Sequence, residues 1–164
     1  MKEYTIAEGD KVEKKHVALL FNGGTALSPD WIQLSKATEN TINLNAETED
    51  FDFIVDESPT TLIKKYKPSL SNPLTLFKGE PDYEYFWPKF YNLPTGADAE
   101  TEILIVFMNE KTTTKYDAWK CKCTLVLESL DPVNSQLTFT TQMNGTIEKG
   151  TVEVAEGVPT FTAN

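Results

Sequence analysis

Gln136-Leu137-Thr138-Phe139-Thr140-Thr141-Gln142-Met143, followed by Asn144-Gly145, alternates from end to end. Leu137, Phe139, Thr141 and Met143 fall on one side, and Gln136, Thr138, Thr140 and Gln142 on the other. A period of two marks a strand with one covered face and one wet face. Asn144-Gly145 reads as a hairpin signal, with Ile147 to Val154 as the returning strand. Upstream, across a turn at Asp131-Pro132, Trp119, Cys121, Cys123, Leu125 and Leu127 alternate with Lys120, Lys122, Thr124, Val126 and Glu128.

A second alternating block lies nearer the N-terminus. Ile42, Leu44 and Ala46 face Thr41, Asn43, Asn45 and Glu47; after an acidic turn near Thr48-Glu49, Phe51, Phe53 and Val55 alternate with Asp50, Asp52 and Ile54. The two runs predict a long hairpin, polar on one side. Val17 to Phe21 reads as a short buried strand ending at the Asn22-Gly23-Gly24 turn, Trp31 to Leu34 follows another turn, and Ile103 to Phe107 reads as a central strand.

Residues 81–92 carry the helix signal. Pro81 suits a first turn, and Asp82 and Glu84 sit where the helix dipole favours acids. Tyr83, Phe86, Phe90 and Tyr91 form an aromatic stripe expected to pack in the core, and Pro88 is expected to kink the helix. Pro59, Pro68, Pro73 and Gly79 make residues 57–80 a long irregular loop; 1–15 read as an N-terminal arm and 155–164 as a loose C-terminal tail. The expectation is a single domain, mainly β, of seven or eight strands: a sandwich or open barrel of two packed sheets with one flanking α-helix.

Twenty-five acids against fifteen bases, every base a lysine, give a net charge of −10. Specific phosphate recognition favours arginine, and a net-acidic surface repels DNA, so a nucleic-acid reader is not expected. No apolar run approaches the roughly 20 residues of a membrane helix, and Met1-Lys2-Glu3-Tyr4 shows no secretory signal. Catalysis lacks material: His16 is the single histidine, read as a surface residue, and a nucleophile needs a base beside it. Cys121 and Cys123, two apart in a strand, are expected as reduced, buried small hydrophobes. No cofactor and no metal is expected. The cluster Glu47, Glu49, Asp50, Asp52, Asp56 and Glu57 lacks the calcium-loop pattern and reads as a solvated hairpin.

Thr41, Asn43, Asn45, Thr124, Thr138, Thr140 and Gln142 make the polar sides of the alternating strands short and uncharged. Such a face suits the wall of an aqueous channel, and equally a sheet face open to solvent.

The order of motifs resembles the major tail protein, or tail tube protein, family of long-tailed, siphovirus-like phages. Asn45-Ala46-Glu47-Thr48-Glu49-Asp50-Phe51-Asp52-Phe53-Ile54 is similar to the family's inner hairpin. Asp56 through Lys65-Tyr66-Lys67-Pro68-Ser69, Gly79-Glu80-Pro81-Asp82-Tyr83-Glu84-Tyr85-Phe86, Tyr116-Asp117-Ala118-Trp119 and Gly145-Thr146 to Gly150-Thr151 resemble its later segments. The resemblance spans roughly residues 28–154. It implies a structural virion protein, assembled in the host cytoplasm, that forms homohexameric rings stacked into a tube for DNA ejection. The implied partners are other copies of itself, the tape-measure protein, tail tip or baseplate and terminator proteins, and passing DNA, with no membrane. Four strands per subunit, about 38–47, 49–56, 118–128 and 135–143, would line the lumen of a twenty-four-stranded barrel. The implied lumen residues are Thr41, Asn43, Asn45, Glu47, Asp50, Asp52, Lys120, Lys122, Thr124, Thr138, Thr140 and Gln142, with Lys120 and Lys122 masked by Asp50 or Asp52. Ring stacking would fall to Ser58, Lys64, Lys65, Tyr66, Lys67, Ser69 and Lys78 in the long loop, together with the terminal arms. Two other classes stay open: the tube of a related bacteriocin or secretion apparatus, and a β-sandwich carbohydrate-binding or adhesion module using Trp31, Trp87 or Trp119.

Overall fold

Two long strands carry the architecture in the computed structural model, whose described residues are 1–54, 57–112 and 114–164. Val55 and Asp56, which the sequence reading assigns to the acidic hairpin, lie outside them. Strands β8 (Lys115–Asp131) and β9 (Gln136–Ala155) pair antiparallel along nearly their whole length. The Asp131 side chain closes the turn between them by accepting the backbone N–H of Val133 at 2.9 Å and of Asn134 at 3.3 Å. Each long strand then serves different neighbours along its length. The N-terminal part of β9 pairs β6 (Ser69–Thr75) and its C-terminal part pairs β10 (Val158–Ala163). Over Lys115–Thr124, β8 pairs β7 (Glu100–Thr112), which pairs β1 (Val17–Asn22), and β1 pairs β2 (Trp31–Gln33). The short strand β3 (Thr41–Asn43) borders β6. A separate two-stranded sheet joins β4 (Ala46–Phe51) to β5 (Thr60–Tyr66). The fold is mainly β, in two sheets with one flanking α-helix, α1 (Pro81–Asn92).

The core lies inside the curl of the larger sheet. Phe21 of β1 and Phe139 of β9 belong to strands separated by β7 and β8, yet their ring centroids are 5.9 Å apart. Phe86 of α1 fills the angle, edge-on to Phe21 at 5.2 Å and stacked on Phe139 at 4.4 Å. The segment after β2 completes the curl: Leu34 N–H donates to Leu19, Thr38 N–H to Pro73 and Thr75 N–H to Lys36, with Ala37 bridging Leu74. Asp82, buried in α1, holds this crossing, accepting the Ser35 N–H at 3.0 Å, the Ser35 hydroxyl at 3.1 Å and the Lys36 N–H at 3.0 Å. On the other side of the sheet Ala18, Leu20, Leu104, Val106, Ala118 and Val152 form a second apolar cluster, with Met1, Tyr4, Trp31 and Phe161 packed against it.

Several expectations are corrected. Asn144-Gly145 makes no hairpin, because β9 runs straight through it. Gly145 takes φ 71°, and the register jumps from Lys120↔Glu148 to Lys122↔Asn144, so the dipeptide builds a bulge that bends the strand. The primed turn is at Glu156-Gly157, with φ of 52° and 81°, and it sends the expected loose tail back as β10. The expected irregular loop 57–80 contains both β5 and β6. The N-terminal arm is tied down: Tyr116 donates its hydroxyl to Glu3 at 2.8 Å, and Lys2 N–H donates to Gln33 at 3.1 Å. His16 is buried rather than on the surface, its Nδ1 accepting the Glu13 N–H at 2.9 Å. Pro88 sits inside a continuous helix, at an exposed position. The aromatic stripe divides: Phe86 is buried, Tyr83 and Phe90 are half-buried and Tyr91 faces solvent, while Tyr85, outside the stripe, is buried and Trp87 is exposed.

Candidate functional site

The residues opposite the core on β8, β9, β6 and β3 form one polar face. Cross-strand partners in an antiparallel sheet share a side, so the register reads out its rows. One row runs Glu100, Thr124, Gln142, Ser69, Asn43; the next runs Val126, Thr140, Ser71, Thr41. Glu102, Lys122 and Asn144 make a third. Neighbours across the strands are hydrogen-bonded, with Asn144 Nδ2 donating to Thr124 Oγ1 at 2.7 Å and the Thr140 hydroxyl to the Glu128 carboxylate. Leu125, Leu137, Phe139 and Met143, the alternate residues, are buried in the core behind.

One ion pair stands on this face. Lys120 Nζ lies 3.9 Å from Glu102, whose second oxygen accepts Asn22 Nδ2 at 3.1 Å, and Lys122 sits opposite Glu102 in the register. The expected masking by Asp50 or Asp52 is not found, because both stand on the β4–β5 hairpin, where Asp50 accepts the Thr61 hydroxyl at 2.6 Å. Lys120 borders the second apolar cluster, its ammonium 5.9 Å from the Phe161 ring centroid.

Thr41, Asn43, Lys122, Thr124, Thr138, Thr140 and Gln142 thus share one sheet face, while Glu47, Asp50 and Asp52 lie apart on the hairpin. Asn45 breaks the expected strand between them. At φ 47° it turns the chain out of β3, and its Nδ2 donates to the Lys67 carbonyl and the Ser69 hydroxyl, both at 3.0 Å. Ser69, grouped with the stacking loop by sequence, is buried in β6. The sequence reading missed Ser69, Ser71, Glu100, Glu102 and Asn144 as members of the face. The regular spacing in Ser69-Leu70-Ser71 was the available signal, obscured by the prolines on either side.

This four-stranded sheet ends in two open edges. Beyond Thr124, β8 has β9 on one side and no described strand on the other, and among the described residues β3 pairs only β6. An unpaired edge is a template for another strand.

The hairpin is a different surface. Every residue of β5 is exposed, including Leu62 and Ile63, each at 54%. Lys64 pairs Glu49 at 2.9 Å, while Lys65 and Lys67 pair Glu47 at 3.5 and 3.2 Å; Lys67 and then Lys65 hold the Glu47 carboxyl below its ordinary value. Ser58 and Lys78, also grouped with ring stacking, are exposed, Lys78 in the turn before α1.

Reactive chemistry is sparse. Both cysteines are free and buried, and burial pushes the Cys121 thiol up to about 12. Among the described residues no group of three or more His, Cys, Asp or Glu is placed to hold a metal ion, and no helix is long and apolar enough to cross a membrane. Of the tryptophans, Trp31 and Trp119 are half-buried and Trp87 is exposed.

Three solved structures share this fold. A chain from the tail of an empty GTA particle, determined with helical refinement and C6 symmetry, superposes with a TM-score of 0.56 over 84% of this chain and 97% of its own, at 11% identity. A chain from the sheath/tube terminator of PVC, an extracellular contractile injection system, in its extended state gives 0.53 over 87% and 99%, at 11% identity. A chain from the tube-terminating cap of the anti-feeding prophage gives 0.51 over 88% and 95%, at 15% identity. No family model and no curated protein matches the chain. At these identities the likeness is one of fold, and the fold is that of components of phage-tail-like particles.

Proposed function

We propose that this protein is a structural subunit of a phage-type tail tube, and that the polar face of β3, β6, β9 and β8 lines the lumen. The observation that carries the reading is a sheet with a face rich in short polar side chains, ending in two open edges among the described residues. Each edge is satisfied by the opposite edge of the next copy, a head-to-tail contact that closes into a ring. Six copies, the symmetry stated for the GTA tail, continue the sheet into a twenty-four-stranded barrel.

The chemistry fits a conduit. Each free lysine–phosphate contact adds salt-dependent affinity for DNA, and here Glu102 offsets Lys120. A wall of Thr, Ser, Asn and Gln wets without holding phosphate. In this reading the exposed hairpin and the Lys78 turn bear on the neighbouring ring, and the tape-measure protein occupies the lumen before DNA passes. The subunit is a building part of a virion or related particle and has no catalytic role.

The second reading is a terminating ring. Two of the three structural neighbours come from terminator or cap assemblies, and such a subunit would close a single ring at a tube end. Negative-stain micrographs of the purified protein at rising concentration separate the two. Hollow stacked tubes are expected for the tube subunit, single rings for the terminator, and monomers at every concentration contradict both.

A further inference from the structure

The chain holds two asparagine–glycine pairs, Asn22-Gly23 and Asn144-Gly145. Such a pair is open to one reaction by its chemistry alone. The side-chain carbonyl carbon can close a five-membered ring with the next peptide nitrogen, and glycine has no Cβ to shield that nitrogen. Asparagine is for this reason among the thermolabile residues. The fold treats the two pairs differently. Asn22 is buried, and its amide makes four hydrogen bonds. Its Nδ2 donates to the Thr25 carbonyl at 3.2 Å and to Glu102 at 3.1 Å, and its Oδ1 accepts the Gly24 N–H at 2.9 Å and the Asp30 N–H at 3.1 Å. The Gly23 N–H is itself held by the Asp30 carbonyl at 2.8 Å. Asn144 is exposed, and its amide bonds the Thr124 hydroxyl alone among the described residues, at 2.7 Å. Gly145, at φ 71°, lies in the bulge and has no register partner on β8, β6 or β10 among the described residues.

We propose that Asn144 is a site of spontaneous deamidation, and that the carboxylate it acquires stands opposite Lys122 on the polar face. The Gly145 nitrogen attacks Cγ of Asn144. A C–N bond forms as the Gly145 N–H gives its proton to solvent base, and the Cγ–Nδ2 bond breaks, with Nδ2 leaving as ammonia. Water then opens the succinimide at either carbonyl, giving aspartate or isoaspartate. The bulge accommodates both products. Isoaspartate lengthens the backbone by one atom, and residues 145–147 already have no register partner on β8. Lys122 is the register partner of Asn144, is exposed and forms no ion pair among the described residues. Glu102, across from it on β7, is engaged by Lys120 and Asn22. The new carboxylate therefore gives Lys122 an opposite charge directly across the strands, a favourable pairing. Resting on the tube reading, the conversion removes the free positive charge of this row from a wall that DNA passes; the reaction itself does not depend on that reading.

The test holds the purified full chain in mildly alkaline buffer at physiological temperature for weeks and follows it by peptide mapping with mass spectrometry. Asn144 is expected to gain one dalton and to split into aspartyl and isoaspartyl forms, the second of which accepts a methyl group from an isoaspartyl methyltransferase. Asn22 should keep its amide in the folded chain, and Asn144→Gln should abolish the gain at that position. An Asn144 that keeps its amide throughout, or a gain that reaches Asn22 first, overturns the site. The pairing is read by a double-mutant cycle in denaturant. Lys122→Gln should lower the unfolding midpoint further in the Asn144→Asp background than in the wild-type chain, and added salt should shrink the difference. Equal shifts in the two backgrounds overturn the pairing. Both measurements are made on the single subunit, so their failure leaves the tube reading standing; a wild-type chain that sediments as a monomer at every concentration overturns the tube reading itself.

Discussion

The curled sheet and the β4–β5 hairpin are both antiparallel, and both mix apolar residues with threonines and charges. In the sheet the core-side apolar residues are covered within the chain: Phe139 meets Phe21 and Phe86, and Leu70 and Leu74 are fully buried. In the hairpin Leu62, Ile63 and Tyr66 meet nothing comparable. Secondary structure alone therefore does not separate a scaffold from a contact surface; what separates them is whether the chain supplies the opposing layer. The sheet is completed by the subunit itself; in the tube reading the hairpin is completed by a neighbouring ring.

Substitutions can break that contrast, beginning with the largest effect on folding. Phe139→Ala empties the site where β9, β1 and α1 meet and should cost about 3–5 kcal/mol in denaturant unfolding. Asp82→Ala removes the acceptor for three donors of the closing segment and should cost about 1–3 kcal/mol. Gly150→Val tests the closely laid β10, since a Cβ there would fall 2.2 Å from the Thr162 carbonyl and 2.7 Å from the Phe161 ring. A loss of about 1–3 kcal/mol is expected, with faster amide exchange confined to β10.

Alkaline pH probes the same core. Burial raises the Cys121 thiol from 9.0 to about 12 and the Tyr85 hydroxyl from 10.0 to about 12. The folded state thus holds these protons where the unfolded chain has released them. The stabilisation is complete below pH 9 and is lost as pH climbs from about 9 to 12. Thiol reagents at pH 8 should label the cysteines only after unfolding. The smallest effect belongs to the hairpin. Leu62→Ser with Ile63→Ser should shift subunit stability by no more than about 0.5 kcal/mol while suppressing assembly; a large loss of stability would erase the contrast.

Where periodicity reported a covered face, the chain was legible. Leu137 to Met143 and Trp119 to Leu127 behave as their alternation implies, because one buried side fixes which residues turn inward. Pairing was less legible. The polar run through Asn45 looked like one strand of a hairpin with 49–56, yet a left-handed Asn45 and long-range partners in 60–66 reorganise it. Asn144-Gly145 carries strong hairpin chemistry, but β8 extends past it and holds β9 in register, so the same positive φ yields a bulge. Thr41, Thr124, Thr140 and Gln142 could be found as candidates from side-chain type alone. Glu102 could not, because its role depends on a lysine eighteen residues away meeting it across β7 and β8.

The most direct test of the central claim is an electron cryomicroscopy reconstruction of the assembled protein. The account predicts a hollow six-fold ring with Thr124, Thr140 and Gln142 on the lumen wall, and with the β8 edge beyond Thr124 paired to the β3 edge of the next copy. A ring that turns this face outward, or buries it against a neighbour, would contradict it.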